Sequence, residues 1–224
     1  MPLPTELADV KVTVNGIAAP LYYVSPGQIN FIVPWDAPTG NTADVQVLKV
    51  STGQLLAASA VPMNIVSPAI FVLTPTGNPR PAAVINQDGS VNSPTNPAKR
   101  GEYISVYATG QGQVPASSRP ADGDIPRNGL VSAQGSLRVI IGTDYTDQIP
   151  LLGNEQRSIP GVDTNFIQFS GLSPNYPGMW QVNVRIPQAT AGGAQPLGLF
   201  LNSFPDNTPS VTGYRVVFYV AATQ

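Results

Sequence analysis

Few residue types in this chain are available to do chemistry. It has no histidine and no cysteine, which removes imidazole and thiolate metal ligands, Ser-His and Cys-His nucleophile pairs, disulfides and histidine pH switches. Carboxylates, amides, hydroxyls and aromatics remain. Asn86-Gln87-Asp88-Gly89-Ser90-Val91-Asn92 sets oxygen ligands at alternate positions, as a calcium loop does. An EF-hand loop counted from Asn86 needs a bidentate glutamate where Pro97 stands, and a hairpin built on Asp88-Gly89 explains the same residues through positive φ. Asp122-Gly123-Asp124 is a further weak calcium candidate in what reads as an exposed loop. The expectation is no metal and no cofactor.

Thr109-Gly110-Gln111-Gly112 follows a strand and superficially resembles the start of a dinucleotide fingerprint, but Val114-Pro115 stands where a third glycine and a helix are required. A turn is the expectation there. Glycoside hydrolysis needs two carboxylates about 5–9 Å apart, and no pairing among the 13 acidic residues stands out. The chain therefore reads as a non-enzyme. Trp35, Tyr176 and Trp180 offer planar faces for a sugar or a partner. Trp35 follows the strand-ending Pro34 and is the candidate glycan contact, whereas Trp180 adjoins a strand and reads as core.

Elements that would position such residues must be short, because 24 prolines and 21 glycines interrupt the 224 residues. The longest stretch free of both, residues 41–52, contains the strand-like Val45-Gln46-Val47-Leu48-Lys49-Val50. Period-2 alternation recurs in residues 10–14, 103–107, 181–186 and 214–220. Short alternating segments between turn signals predict an all-β fold of antiparallel sandwiches with almost no helix.

An internal repeat orders these strands. Gln28-Ile29-Asn30-Phe31-Ile32-Val33-Pro34 and Gln181-Val182-Asn183-Val184-Arg185-Ile186-Pro187 share one frame, each with a glycine, Gly40 or Gly193, six residues beyond its proline. The strand at Val10 precedes the first copy and that at Leu137 the second. Two tandem Ig-like sandwiches follow as the economical reading, residues 1–72 and 73–224, with an inserted loop at 143–165. That loop carries Asp144, Asp147, Glu155, Arg157 and Asp163 in an otherwise charge-poor chain and is a candidate contact surface.

Val12-Thr13-Val14-Asn15-Gly16, Tyr23-Val24-Ser25-Pro26-Gly27-Gln28-Ile29-Asn30-Phe31, residues 86–94 and Tyr107-Ala108-Thr109-Gly110-Gln111-Gly112 resemble, in that order, the Solibacter-type uncharacterised C-terminal domain of secreted acidobacterial proteins. The resemblance implies an extracellular Ig-like module with no assigned activity. It departs from the family pattern at residues 143–170 and 202–212.

Composition narrows the partners. Charged residues are 11% and the net charge is −2, too little clustered Lys and Arg to neutralise phosphates, so nucleic acid is not expected. A hydrophobic content of 42% argues against disorder. No segment reaches the roughly 20 apolar residues of a membrane helix, and Met1-Pro2-Leu3-Pro4 does not read as a signal peptide. An extracellular or cell-surface bacterial location is the expectation.

The repeats differ in one respect. The second opens with the strand at residues 103–107, whereas only nine residues precede Val10. A sandwich short of that strand exposes an edge and a core slot. Filling it with about four apolar side chains, at roughly 1.5–3 kcal/mol each, is worth on the order of 6–12 kcal/mol before ordering costs, comparable to a whole domain's roughly 5–15 kcal/mol. The missing strand is expected from upstream sequence, from the same chain folding back, or from another subunit. The candidate interface residues are Leu3, Val10, Val12 and Val14 at the N-terminus and Tyr214, Val216 and Phe218 at the C-terminus. Donation between copies would give a filament or surface-assembly subunit. The alternative is a carbohydrate-binding accessory module of a secreted enzyme.

Overall fold

The computed structural model describes residues 2–133, 136–142, 166–202, 209–211 and 216–222. These form an all-β protein of several sheets, with no α-helix among the described residues. The inserted loop at 143–165 and Tyr214 lie outside them.

The chain divides into two compact units. The first comprises residues 1–65, 113–131 and 172–178, and the second residues 66–112, 132–171 and 179–224. The fold thus places the division after residue 65 rather than 72, and two later segments cluster with the first unit.

In the first unit, β1 (Glu6–Leu7), β2 (Val10–Val14) and β3 (Ile17–Ala18) are linked by two-residue turns. Asn15 and Gly16 between β2 and β3 both have positive φ, the backbone that suits a tight hairpin to strand twist. Ala8 and Asp9 do the same between β1 and β2, and Asp9 accepts hydrogen bonds from the Ser51 N–H and hydroxyl. Strand β4 (Leu21–Ser25) pairs only with β5 (Gln28–Phe31), as a separate two-stranded ribbon. Strands β6 (Thr42–Lys49) and β7 (Leu55–Pro62) complete the larger sheet in the order β1-β2-β6-β7. Val12 and Val14 of β2, Leu21 of β4 and Ala43 of β6 form one buried cluster, against which Ile29 and Phe31 of β5 and Val45 and Val47 of β6 pack. The ribbon therefore covers β2 and β6.

The second unit is fuller. Its strands are β8 (Ala69–Ile70), β9 (Arg80–Pro81), β10 (Val84–Asn86), β11 (Tyr103–Thr109), β12 (Ser136–Ile141), β13 (Ile167–Leu172), β14 (Trp180–Arg185), β15 (Gly193–Asn202), β16 (Pro209–Val211) and β17 (Val216–Val220). One sheet runs β10-β11-β14-β13 and the other β12-β15-β17-β9. In β11 the apolar Ile104, Val106 and Ala108 are buried and alternate with half-buried neighbours, the period-2 pattern of the sequence made literal.

The repeat survives in three dimensions. The Gln-x-Asn frame places β5 in the position of β14, with β4 as β13. The strands on either side align β2 with β12, β6 with β15 and β7 with β17, and the order β2-β6-β7 matches β12-β15-β17.

Candidate functional site

The residues singled out for ion chemistry are engaged by their own loops. Asp88 accepts hydrogen bonds from the Ser90 N–H and hydroxyl, which hold its carboxyl below the usual range; Gly89 has positive φ, as a tight turn demands. Asp124 is gripped by the Arg127 guanidinium at 2.8 Å and accepts from the Ile125 N–H, which lowers its carboxyl in the same way. Asp122 accepts from the Trp35 N–H at 3.0 Å. No group of three or more potential metal-ligating acidic side chains occurs among the described residues.

The Gly110-Gln111-Gly112 run leaves β11 with both glycines at positive φ. A Cβ on Gly110 would fall 1.7 Å from the Ser67 carbonyl oxygen, so the bare position answers to close backbone packing rather than to a phosphate.

Of the aromatics, Trp35 is half-buried against Val114, Val131 and Leu172, and its carbonyl accepts from the Gln113 amide. Trp180 is fully buried, its indole N–H donating to Ser170 Oγ. Tyr176 is half exposed. The Tyr22 hydroxyl donates to the Pro177 carbonyl, and burial, with the neighbouring Tyr176 phenol, pushes its pKa up to about 12.

The candidate interface residues other than Tyr214, which lies outside the described residues, have places within their own units. The Leu3 N–H donates to the Gly123 carbonyl and the Leu21 N–H to the Pro4 carbonyl. Val10 lies in β2, paired with both β1 and β6, and Val12 and Val14 are core. Val216 and Phe218 are buried in β17, which is paired on both sides by β15 and β9. Neither terminus is free to be donated without first being unpaired.

Among the described residues, β5 and β7 are two of the first unit's open strand edges. In the second unit β14 lies between β13 and β11, whereas β5 has β4 on one side and no strand on the other among the described residues. Strand β7 is the matching case in the larger sheet. It ends the order β1-β2-β6-β7, and all eight of its residues are exposed, Leu55 by 53% and Val61 by 39%. Its pairing of Ala57, Ser59 and Val61 with Val47, Val45 and Ala43 puts those three on the core side of the sheet. Among the described residues nothing covers them there. The strand carries no charge and no inward-turned Lys or Glu, the devices that ordinarily protect a free edge. The repeat frame signals β5 but not β7, and recognising either as an edge requires knowing which strands pair.

Comparison with protein-family models, with curated proteins and with solved structures finds no match. No helix among the described residues is long and apolar enough to cross a membrane.

Proposed function

We propose that this chain is a non-enzymatic structural or adhesive module of the bacterial cell exterior, acting through strand pairing and surface contact. The observation that carries this reading is strand β7, which bears no charge and is exposed along its whole length among the described residues. Free edges of this kind add strands from other polypeptides. The four motifs that resemble the Solibacter-type C-terminal domain support an exported location and an immunoglobulin-like ancestry. A filament joined by exchange between copies would need a donor other than residues 3–10 or 216–220, since both are paired at home.

Carbohydrate binding is the second reading, favoured by Trp35 and the half-exposed Tyr176, both of the first unit. A glycan array separates the two. The structural role predicts silence across the array, together with crosslinking to a cell-surface protein from a photo-reactive residue placed at Ala58. Strong binding to one sugar class, abolished by Trp35→Ala, would replace it with the carbohydrate-binding role.

A further inference from the structure

We propose that residues 86–98 form a cap that closes the outer edge of β17 against strand addition, with the Asn92 carboxamide standing in for a peptide group of the sheet. The inference goes beyond the role given to β7, because it concerns the second unit. It also gives a use to the asparagine-rich loop whose spacing resembles a calcium site.

Strand β17 pairs with β15 on one side. On the other side the parallel β9 runs beside Val216 and Val217, and the Ala82 N–H donates to the Val217 carbonyl at 2.8 Å. There the chain leaves this sheet, because Val84 begins β10 and pairs with Val106 of β11. The next outward-facing groups of β17 are the N–H and carbonyl of Tyr219, and Asn92 meets both. Its Oδ1 accepts from the Tyr219 N–H at 2.7 Å, and its Nδ2 donates to the Tyr219 carbonyl at 2.8 Å. One planar amide thus offers the donor and the acceptor that a neighbouring strand would offer. Backbone returns at Ala98, whose N–H also donates to the Tyr219 carbonyl and whose carbonyl accepts from the Ala221 N–H. The Arg100 guanidinium then donates to the Ala221 carbonyl at 2.9 Å.

The stand-in is held rigidly. Asn92 is 2% exposed, and its backbone N–H donates to the carbonyl of Val84, the residue at which the chain turned away. Its Nδ2 also donates to Asn86 Oδ1 at 2.9 Å. Asn86 in turn donates to the Asn96 carbonyl at 3.0 Å, and the Asn96 amide donates to Ser90 Oγ at 2.6 Å. With both its donors and its acceptor engaged, the Asn92 carboxamide has one orientation. An edge with unpaired N–H and C=O groups is a template for another strand, and covering it with a loop is one of the ways proteins prevent that. Here the cover reproduces the hydrogen bonds of a strand although the chain has moved to the other sheet, and the Arg100 charge marks its end.

Native-state hydrogen exchange on the full chain tests this. Asn92→Ala is expected to speed exchange of the Tyr219 amide by about tenfold, as loss of one hydrogen bond implies, while the amides of β14 keep their rates. Val139→Ala, at a buried position of β12 in the same sheet, lowers stability without touching the cap. It should leave the Tyr219 rate relative to β14, and the association state of the chain, as in the wild type. Replacing Asn86, Asn92 and Asn96 together by alanine should loosen the whole cap. That variant is expected to self-associate more strongly than the wild type in sedimentation, with the Tyr219 amide regaining protection as concentration rises. Should it fail to fold, Asn92→Ala taken to the same concentrations should show the same return of protection. The proposal is overturned if Tyr219 exchange is unchanged in Asn92→Ala or rises only in step with β14. It is equally overturned if a folded variant with an unprotected Tyr219 amide associates no more than the wild type at any concentration.

Discussion

Strands β7 and β17 hold equivalent places in the two repeats, yet β17 lies inside its unit and β7 outside. Both follow the fourth aligned strand of the repeat and pair with it, β7 with β6 and β17 with β15. Strand β17 has a further neighbour, the short parallel β9, and four of its five residues are buried. Strand β7 has no further neighbour among the described residues and buries none. The chemistry has adjusted to this. Val216-Val217-Phe218-Tyr219-Val220 is large and branched, whereas Leu55-Leu56-Ala57-Ala58-Ser59-Ala60-Val61 uses small side chains at its centre, which limits the apolar area left in water. Burial of a strand is thus decided by what lies beyond it, and an edge can persist when its residues are small.

The difference can be broken first by deleting side chains. Phe218→Ala should cost the second unit about 3–5 kcal/mol, the usual loss for a fully buried aromatic, while Val61→Ala should change stability by no more than about 0.5 kcal/mol. Urea unfolding can follow the units separately, because Trp35 lies in one and Trp180 in the other. A loss for Val61→Ala approaching that of Phe218→Ala would show that β7 is covered in solution.

The paired asparagines give a smaller contrast. Asn183→Ala removes the acceptor of both Ser105 and Gln181 in a half-buried setting and should cost about 1–2 kcal/mol. Asn30→Ala, at an exposed position, should cost less than about 0.5 kcal/mol. Equal losses in the free protein would mean that the β5 edge is already filled.

Alkaline pH should separate the units more gently. The Tyr22 pKa is raised to about 12 from 10.0, so the folded state favours the neutral phenol. Its contribution is fully present below about pH 10 and fades as pH rises toward about 12. The midpoint reported by Trp35 should therefore fall over that interval, and Tyr22→Phe should flatten the fall without altering the midpoint reported by Trp180. An unchanged slope in Tyr22→Phe would assign the alkaline loss to other groups.

Local order was written in the sequence wherever neighbouring residues decide it. The alternation at residues 10–14 and 103–107 became β2 and β11 because a pleated strand sorts side chains by parity whatever lies beyond it. Asp88-Gly89 and Asn15-Gly16 became turns because positive φ, taken by Gly89, Asn15 and Gly16, suits glycine and asparagine. The two Gln-x-Asn frames adopted one within-strand hydrogen bond because both partners lie two residues apart on one face.

Tertiary structure decided everything that depends on distant segments meeting. Residues 113–131 and 172–178 belong to the second half of the chain by position and to the first unit by contact, which no local pattern announces. The N-terminal residues that looked free to be donated are held by the Gly123 carbonyl and by β2. Above all, the repeat frame marks β5 as an ordinary strand, and no local pattern singled out β7. Only the pairing order shows that each ends a sheet among the described residues, because an edge is defined by what lies beside a strand and leaves no mark in the residues that face it.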